Sequence, residues 1–187
     1  MCGNGGRCIA AFAKRIGVID TRAEFLGADG PHEAYIYQTM VRLKMKDIGQ
    51  IEKGDDFYYL NTGSPHYVKF VDDLHLLDVV SKGREIRYND RFKTEGTNVN
   101  FVQMMNDHLE IRTYERGVED ETLACGTGIT ASSLAAAIHE KTDKNSYSIK
   151  AKGGNLSVSF EKQTGDRFSQ VWLHGPAEFV FEGKITV

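Results

Sequence analysis

Two short stretches of this chain have the same form. Cys2-Gly3-Asn4-Gly5 and Cys125-Gly126-Thr127-Gly128 each set a cysteine before two glycines that flank a small polar residue. Small and apolar residues follow both. A glycine-rich turn lets backbone approach backbone or ligand closely. An apolar helix after it must be covered by other elements. Laying Cys2 on Cys125 also lays Gly3 on Gly126, Gly5 on Gly128 and Ala13 on Ala136. The matched residues share one physical job, so the chain reads as two similar halves, each with strands around one buried helix.

The rest of the chain fits an α+β reading. Residues 6–16 suit a helix that stops at Gly17. Alternation in 33–46 predicts two strands, with Val41, Leu43 and Met45 on one face of the second. Asp47 to Asp56 is polar and is the expected linker. Strands are expected at 57–60 and 67–71 around Thr62-Gly63-Ser64-Pro65, and a short helix at 77–86. A hairpin is expected from 98–105 and 109–114 across Asn106-Asp107. A broadly apolar helix follows at 129–141, then strands at 147–151, 156–160, 171–174 and 178–181. This gives a partial N-terminal domain over 1–50 and a C-terminal domain over 51–183. A last strand, 184–187, is expected to cross back to the first. The first half is short of strands and is read as incomplete, with more of the protein expected upstream of Met1. Exposed apolar edges there would invite association, which leaves a homodimer open.

Composition narrows the function. Net charge is −3 and Lys and Arg are scattered, which argues against nucleic acid as a partner. No apolar run approaches the roughly 20 residues that span a bilayer, so no membrane partner is expected. Three cysteines, Cys2, Cys8 and Cys125, make no disulfide framework, and a reducing, cytoplasmic setting is the expectation. Neither turn continues into the Gly-Lys-Ser/Thr of a phosphate loop. Cys2 and Cys8 lie six apart and no histidine pair has ligand spacing, so no metal is expected. Cys8 reads as a helix residue without a chemical role.

The chemistry rests on the two turns. A helix N-terminus carries unpaired N–H groups and partial positive charge. A thiolate is stabilised there, and so is a carboxylate. Asn4 and Thr127 hold equivalent positions and are expected to cap their helices. Two such turns facing each other suit racemisation of an amino acid. One thiolate removes the α-proton from one face and a thiol returns a proton on the other. Taken alone, Glu115-Arg116 also reads as a solvated pair, His66 as a structural histidine and Asn98 as a turn residue.

With these residues in view, the chain resembles the diaminopimelate epimerases. Cys2-Gly3-Asn4-Gly5-Gly6-Arg7-Cys8 is similar to that family's first cysteine motif and Ala124-Cys125-Gly126-Thr127-Gly128 to its second. Gly63-Ser64-Pro65-His66, Thr97-Asn98-Val99-Asn100-Phe101 and Tyr114-Glu115-Arg116-Gly117 lie between them in the family's order. The resemblance implies two pseudo-symmetric domains and a cofactor-independent epimerase. Its small-molecule substrate would be the diamino-dicarboxylate 2,6-diaminopimelate, interconverted between LL and meso forms for lysine and peptidoglycan synthesis. It implies Cys2 and Cys125 as acid–base thiols. Gly3, Asn4, Gly126 and Thr127 would hold the carboxylate at the reacting centre. Asn98, Glu115 and Arg116 would hold the distal amino-acid end, and His66 would support the thiols. Ser64 stands where the family has a substrate-binding Asn, which changes that contact. A proline or hydroxyproline racemase of the same superfamily, or an inactive thiol protein, are the alternatives.

Overall fold

A computed structural model describes residues 2–27 and 29–185. Among them are the helices α1 (Gly3–Arg15), α2 (Val79–Arg87) and α3 (Gly126–His139). The strands are β1 (Arg22–Gly27), β2 (Gly30–Tyr37), β3 (Met40–Lys44), β4 (Glu52–Lys53), β5 (Tyr58–Asn61) and β6 (Pro65–Phe70). They continue with β7 (Asn98–Met104), β8 (Leu109–Glu115), β9 (Asp120–Thr122), β10 (Ser146–Ala151), β11 (Gly154–Lys162) and β12 (Phe168–Pro176). All join one mixed sheet in the order β1-β2-β3-β12-β11-β10-β8-β7-β6-β5-β4, with β9 beside β8.

Two parallel pairings explain where the later helices lie. β6 pairs parallel with β7, and β8 with β10. Parallel neighbours need a crossover rather than a hairpin. The first crossover carries α2 and the second carries α3. α3 becomes the centre of the main core, touching β5, β6, β7, β8, β10, β11 and β12. Every residue from Gly126 to Ile138 is buried. Its Gly, Ala, Ser and Thr side chains let strands close in on all sides. Thr130 and Ser133 satisfy their hydroxyls on the carbonyls of Gly126 and Ile129, 3.0 and 2.9 Å away.

The sheet serves two cores because its side chains alternate. Val68, Val102 and Ile111 join the core around α3, while Tyr67, Val99, Phe101 and Tyr114 pack with Leu74 and with Val79 of α2. α1 is covered less completely. Gly3, Gly6, Arg7 and Ala10 are buried, but Ile9, Phe12 and Ile16 are each more than half exposed. No described helix is long and apolar enough to cross a membrane.

The structure corrects several expectations. β1 was not anticipated, because its alternation of Ala23 and Phe25 with charged residues spans only a few positions. The 47–56 segment is not a free linker. Ile48 and Ile51 are buried, Ile48 bridges Phe168, and β4 lies within it. No strand forms at 178–181, where Phe179, Val180 and Phe181 are exposed. In the expected 184–187 strand, Lys184 and Ile185 are irregular, and 186–187 lie outside the described residues. The return to the N-terminal strands is made by β12, which pairs with β3 from Trp172↔Lys44 to Pro176↔Met40.

Candidate active site

Both cysteines are the residues immediately before their helices. Cys2 has φ −100° and ψ 112°, Cys125 φ −111° and ψ 108°. The two turns therefore share one backbone shape as well as one sequence. The cysteines, rather than Asn4 and Thr127, occupy the cap positions. Cys2 Sγ accepts from the Gly5 N–H at 3.4 Å. Each helix consequently starts three residues earlier than the sequence pattern implied.

The two helix starts meet. A Cβ placed on Gly3 would lie 3.1 Å from Gly126 Cα, and one on Gly126 would lie 3.0 Å from Gly3 Cα. Both would also press on Leu173 Cδ2, at 2.9 and 3.0 Å. Asn4 Nδ2 crosses the junction to donate to the Ala124 carbonyl at 3.1 Å. Two positive helix ends thus converge, and neither has an acidic residue in its first turn. An outside anion meets no carboxylate from the helices' own first turns.

Arg7 locks the α1 side. Its buried guanidinium donates to Gly3 O at 3.2 Å, Asn4 Oδ1 at 3.0 Å and Pro176 O at 3.4 Å. Arg7 stands in the first cysteine motif with no role legible from the sequence. Only the contact with Pro176, far away in sequence, reveals its role.

The α3 side is more enclosed. Cys125 is buried, with its Sγ 3.4 Å from Thr127 Oγ1. Burial pushes its thiol above the ordinary value; the Thr127 hydroxyl opposes this and the Glu115 charge adds to it. The helix terminus alone led to an expectation of a lowered value. At Cys125 desolvation outweighs the Thr127 hydroxyl and the Gly128 N–H, which both favour the thiolate. Gly128 is needed for a different reason from Gly126. A Cβ there would lie 2.3 Å from Asn100 Oδ1 and 3.3 Å from His66 Cε1. Among the described residues, a Cβ on its counterpart Gly5 would meet Cys2 alone, at 3.6 Å.

The other predicted residues join the Cys125 side. Ser64 Oγ lies 3.2 Å from Thr127 Oγ1 and 3.0 Å from His66 Nε2. Asn98 donates from Nδ2 to Ser64 Oγ at 3.3 Å and to Pro65 O at 2.9 Å, and accepts the Arg116 N–H on Oδ1 at 3.0 Å. The Arg116 side chain donates to Glu95 O at 3.0 Å. Glu115 Oε2 accepts from Thr122 Oγ1 at 2.7 Å. His66 is fully buried; burial, helped by the Arg116 charge, pulls it down to about 3 and leaves it neutral. Asn100 and Thr62 stand in motifs quoted from the sequence without a role, and Thr113 was not singled out there. Thr62 Oγ1 anchors the first turn of α3 by donating to Thr127 O at 2.8 Å.

The chain is similar to known proteins over most of its length. Residues 58–180 match the family model described as diaminopimelate epimerase. The diaminopimelate epimerase of Flavobacterium psychrophilum is 48% identical, over 99% of this chain and 73% of that protein. The enzyme of Chlorobaculum tepidum is 40% identical, over 100% of this chain and 75% of that one. This chain belongs to the diaminopimelate epimerase family. The role that goes with membership is that of an isomerase, a diaminopimelate epimerase. Among solved structures, a PhzF-family phenazine biosynthesis protein from Bacillus anthracis superposes with a TM-score of 0.73 at 14% identity. That match covers 100% of this chain and 76% of the other. A PhzC/PhzF protein from Clostridium difficile gives 0.69 at 13% identity, covering 100% and 74%. At such identity the likeness concerns the fold alone.

Proposed function

We propose that Cys2 and Cys125 form a cofactor-independent acid–base pair that interconverts LL- and meso-2,6-diaminopimelate. The observation that carries this reading is the reciprocal contact of Gly3 and Gly126. It brings two cysteine-capped helix starts together, near enough for the charge of Cys2 to act on Cys125. A substrate carboxylate placed at the N–H groups of Gly3, Asn4, Gly126 and Thr127 would sit where both helix ends are positive. The negative charge that develops when the α-proton leaves is stabilised by the same groups. One cysteine removes the proton as thiolate while the other returns one as thiol, and burial of Cys125 favours its thiol form. The two titrations are then coupled. Asn98, Glu115 and Arg116 supply the mixed polarity that a distal ammonium and carboxylate require.

We read the chain as two pseudo-symmetric units, each centred on one cysteine-capped helix. Three free thiols support a reducing, cytoplasmic setting for lysine and peptidoglycan precursor synthesis. A homodimer would cover the apolar stripe of Ile9, Phe12 and Ile16 on α1. The test is epimerisation in deuterium oxide. Wild type exchanges the α-hydrogen of both isomers, whereas Cys2→Ala and Cys125→Ala each lose epimerisation. Undiminished epimerisation in either variant overturns the two-thiol reading.

A further inference from the structure

One buried polar chain at the site has a direction that can be worked out atom by atom. It starts at Asn100, which lies on β7 directly opposite Thr113 on β8. Asn100 Nδ2 donates to the Tyr67 carbonyl at 3.0 Å. A carbonyl can only accept, so this bond fixes which end of the amide is nitrogen. Its Oδ1 then accepts from Thr113 Oγ1 at 3.0 Å. The remaining Nδ2 proton meets His66 Nδ1 at 3.1 Å. That ring nitrogen must present a lone pair, so in the neutral imidazole the proton sits on Nε2.

The direction propagates from there. His66 Nε2–H donates to Ser64 Oγ at 3.0 Å, and Asn98 Nδ2 donates to the same oxygen at 3.3 Å. Both acceptor positions of Ser64 are used, so its own proton goes to Thr127 Oγ1, 3.2 Å away. Thr127, having accepted, has its proton left for Cys125 Sγ at 3.4 Å. Every link points toward the sulfur. Ser64 is suited to this because one hydroxyl oxygen both accepts and donates.

We propose that Asn100 is a positioning residue for Cys125: by fixing His66 as the Nε2–H tautomer, it orients the His66–Ser64–Thr127 chain so that a hydroxyl donor always faces the sulfur. This rests on the reading of Cys125 as an acid–base thiol. The chain passes no proton itself. It meets the thiolate with a donor already in place when Cys125 has given its proton to substrate. It also keeps Thr127 lone pairs away from the sulfur, which leaves the S–H proton free to point at substrate. Asn100 makes no hydrogen bond to either thiol, and its hydrogen bond toward the site is the one to His66.

The test combines two readouts on the full chain. Long-range proton–nitrogen spectra of ¹⁵N-labelled protein assign the His66 tautomer, and alkylation by iodoacetamide against pH gives the Cys125 titration midpoint. Wild type should show a protonated Nε2. Thr127→Val and Asn100→Asp should each raise the Cys125 midpoint by about one pH unit, the scale of one hydrogen bond to a charged group. Asn100→Asp should also move the ring proton to Nδ1, where the new carboxylate accepts it. Cys8 alkylation should stay unchanged in both. A wild-type His66 protonated on Nδ1 overturns the proposal, even if Asn100→Asp fails to fold. So does an unmoved midpoint in Thr127→Val. The two-thiol reading has its own test in Cys125→Ala, so loss of epimerisation there with an unmoved midpoint in Thr127→Val would sink this proposal alone.

Discussion

Gly3 and Gly126 touch backbone to backbone where α1 and α3 begin, and Leu173 from β12 closes on both. No side chain larger than hydrogen fits either position. Gly3→Ala and Gly126→Ala should each cost about 1–3 kcal/mol, the range of overpacking in a close-packed interior. Activity should fall further than stability, because the clash pushes the two cysteine turns apart. Leu173→Ala should cost less in the Gly3→Ala background than in wild type, since its Cδ2 is the nearest atom at 2.9 Å. A double-mutant cycle in urea measures that coupling. Strict additivity would mean that Leu173 is not what the new methyl meets.

The second glycines of the two turns should behave unequally despite their identical place in the sequence. A Cβ on Gly128 would lie 2.3 Å from Asn100 Oδ1, which Thr113 already engages. Gly128→Ala should therefore cost about 3 kcal/mol or more, through overpacking and a broken buried hydrogen bond. Gly5→Ala meets its nearest neighbour at an ordinary 3.6 Å. It should be neutral or stabilising by up to about 1 kcal/mol, since alanine favours the helix. Paired urea midpoints decide this, and equal losses would contradict the asymmetry.

Arg7 ties the start of α1 to the end of β12 through the carbonyls of Gly3 and Pro176 and the Asn4 amide. Arg7→Met keeps the apolar stem but leaves those buried acceptors without their donor. A loss of about 2–4 kcal/mol is expected, from hydrogen bonds to a charged group. Arg7→Lys should recover little, because one ammonium cannot reproduce the planar fork. Thermal unfolding of the two variants checks this. A lysine variant as stable as wild type would show that charge matters there and geometry does not.

The cysteine turns and their helices were legible because a turn and the helix after it are local in the chain. The hairpin of β7 and β8 was legible for the same reason. What escaped depends on pairing between distant segments. Asn100 looks like any strand polar residue until β8 sets Thr113 opposite it and β6 brings His66 alongside. Ile48 and Ile51 looked like residues of a polar linker, because their burial depends on contacts with distant segments such as the strand carrying Phe168. The 178–181 run has strand-like side chains, but a strand needs a partner, and β3 already pairs with residues 172–176. The carbonyl contact of Arg7 with Pro176 had no sequence signal at all.

His66 predicts a specific pH dependence of stability. Its folded value is depressed from 6.5 to about 3, chiefly by burial. Above pH 6.5 both folded and unfolded chains hold it neutral, and it contributes no slope. As pH falls below 6.5 the unfolded chain takes up a proton that the native imidazole refuses. Stability therefore declines by about 1.4 kcal/mol per pH unit through that window, until the native ring itself protonates near pH 3. His174 is also pulled down by burial and contributes in the same direction. Comparison with His66→Asn cancels that contribution and those of the carboxylates. Urea unfolding of both proteins at intervals from pH 4 to 8 should show a stability difference that narrows as pH falls and is constant above about 6.5. A difference independent of pH across the whole range would mean that His66 is solvated enough to protonate in the folded protein, and the neutral-tautomer geometry around Ser64 would fall with it.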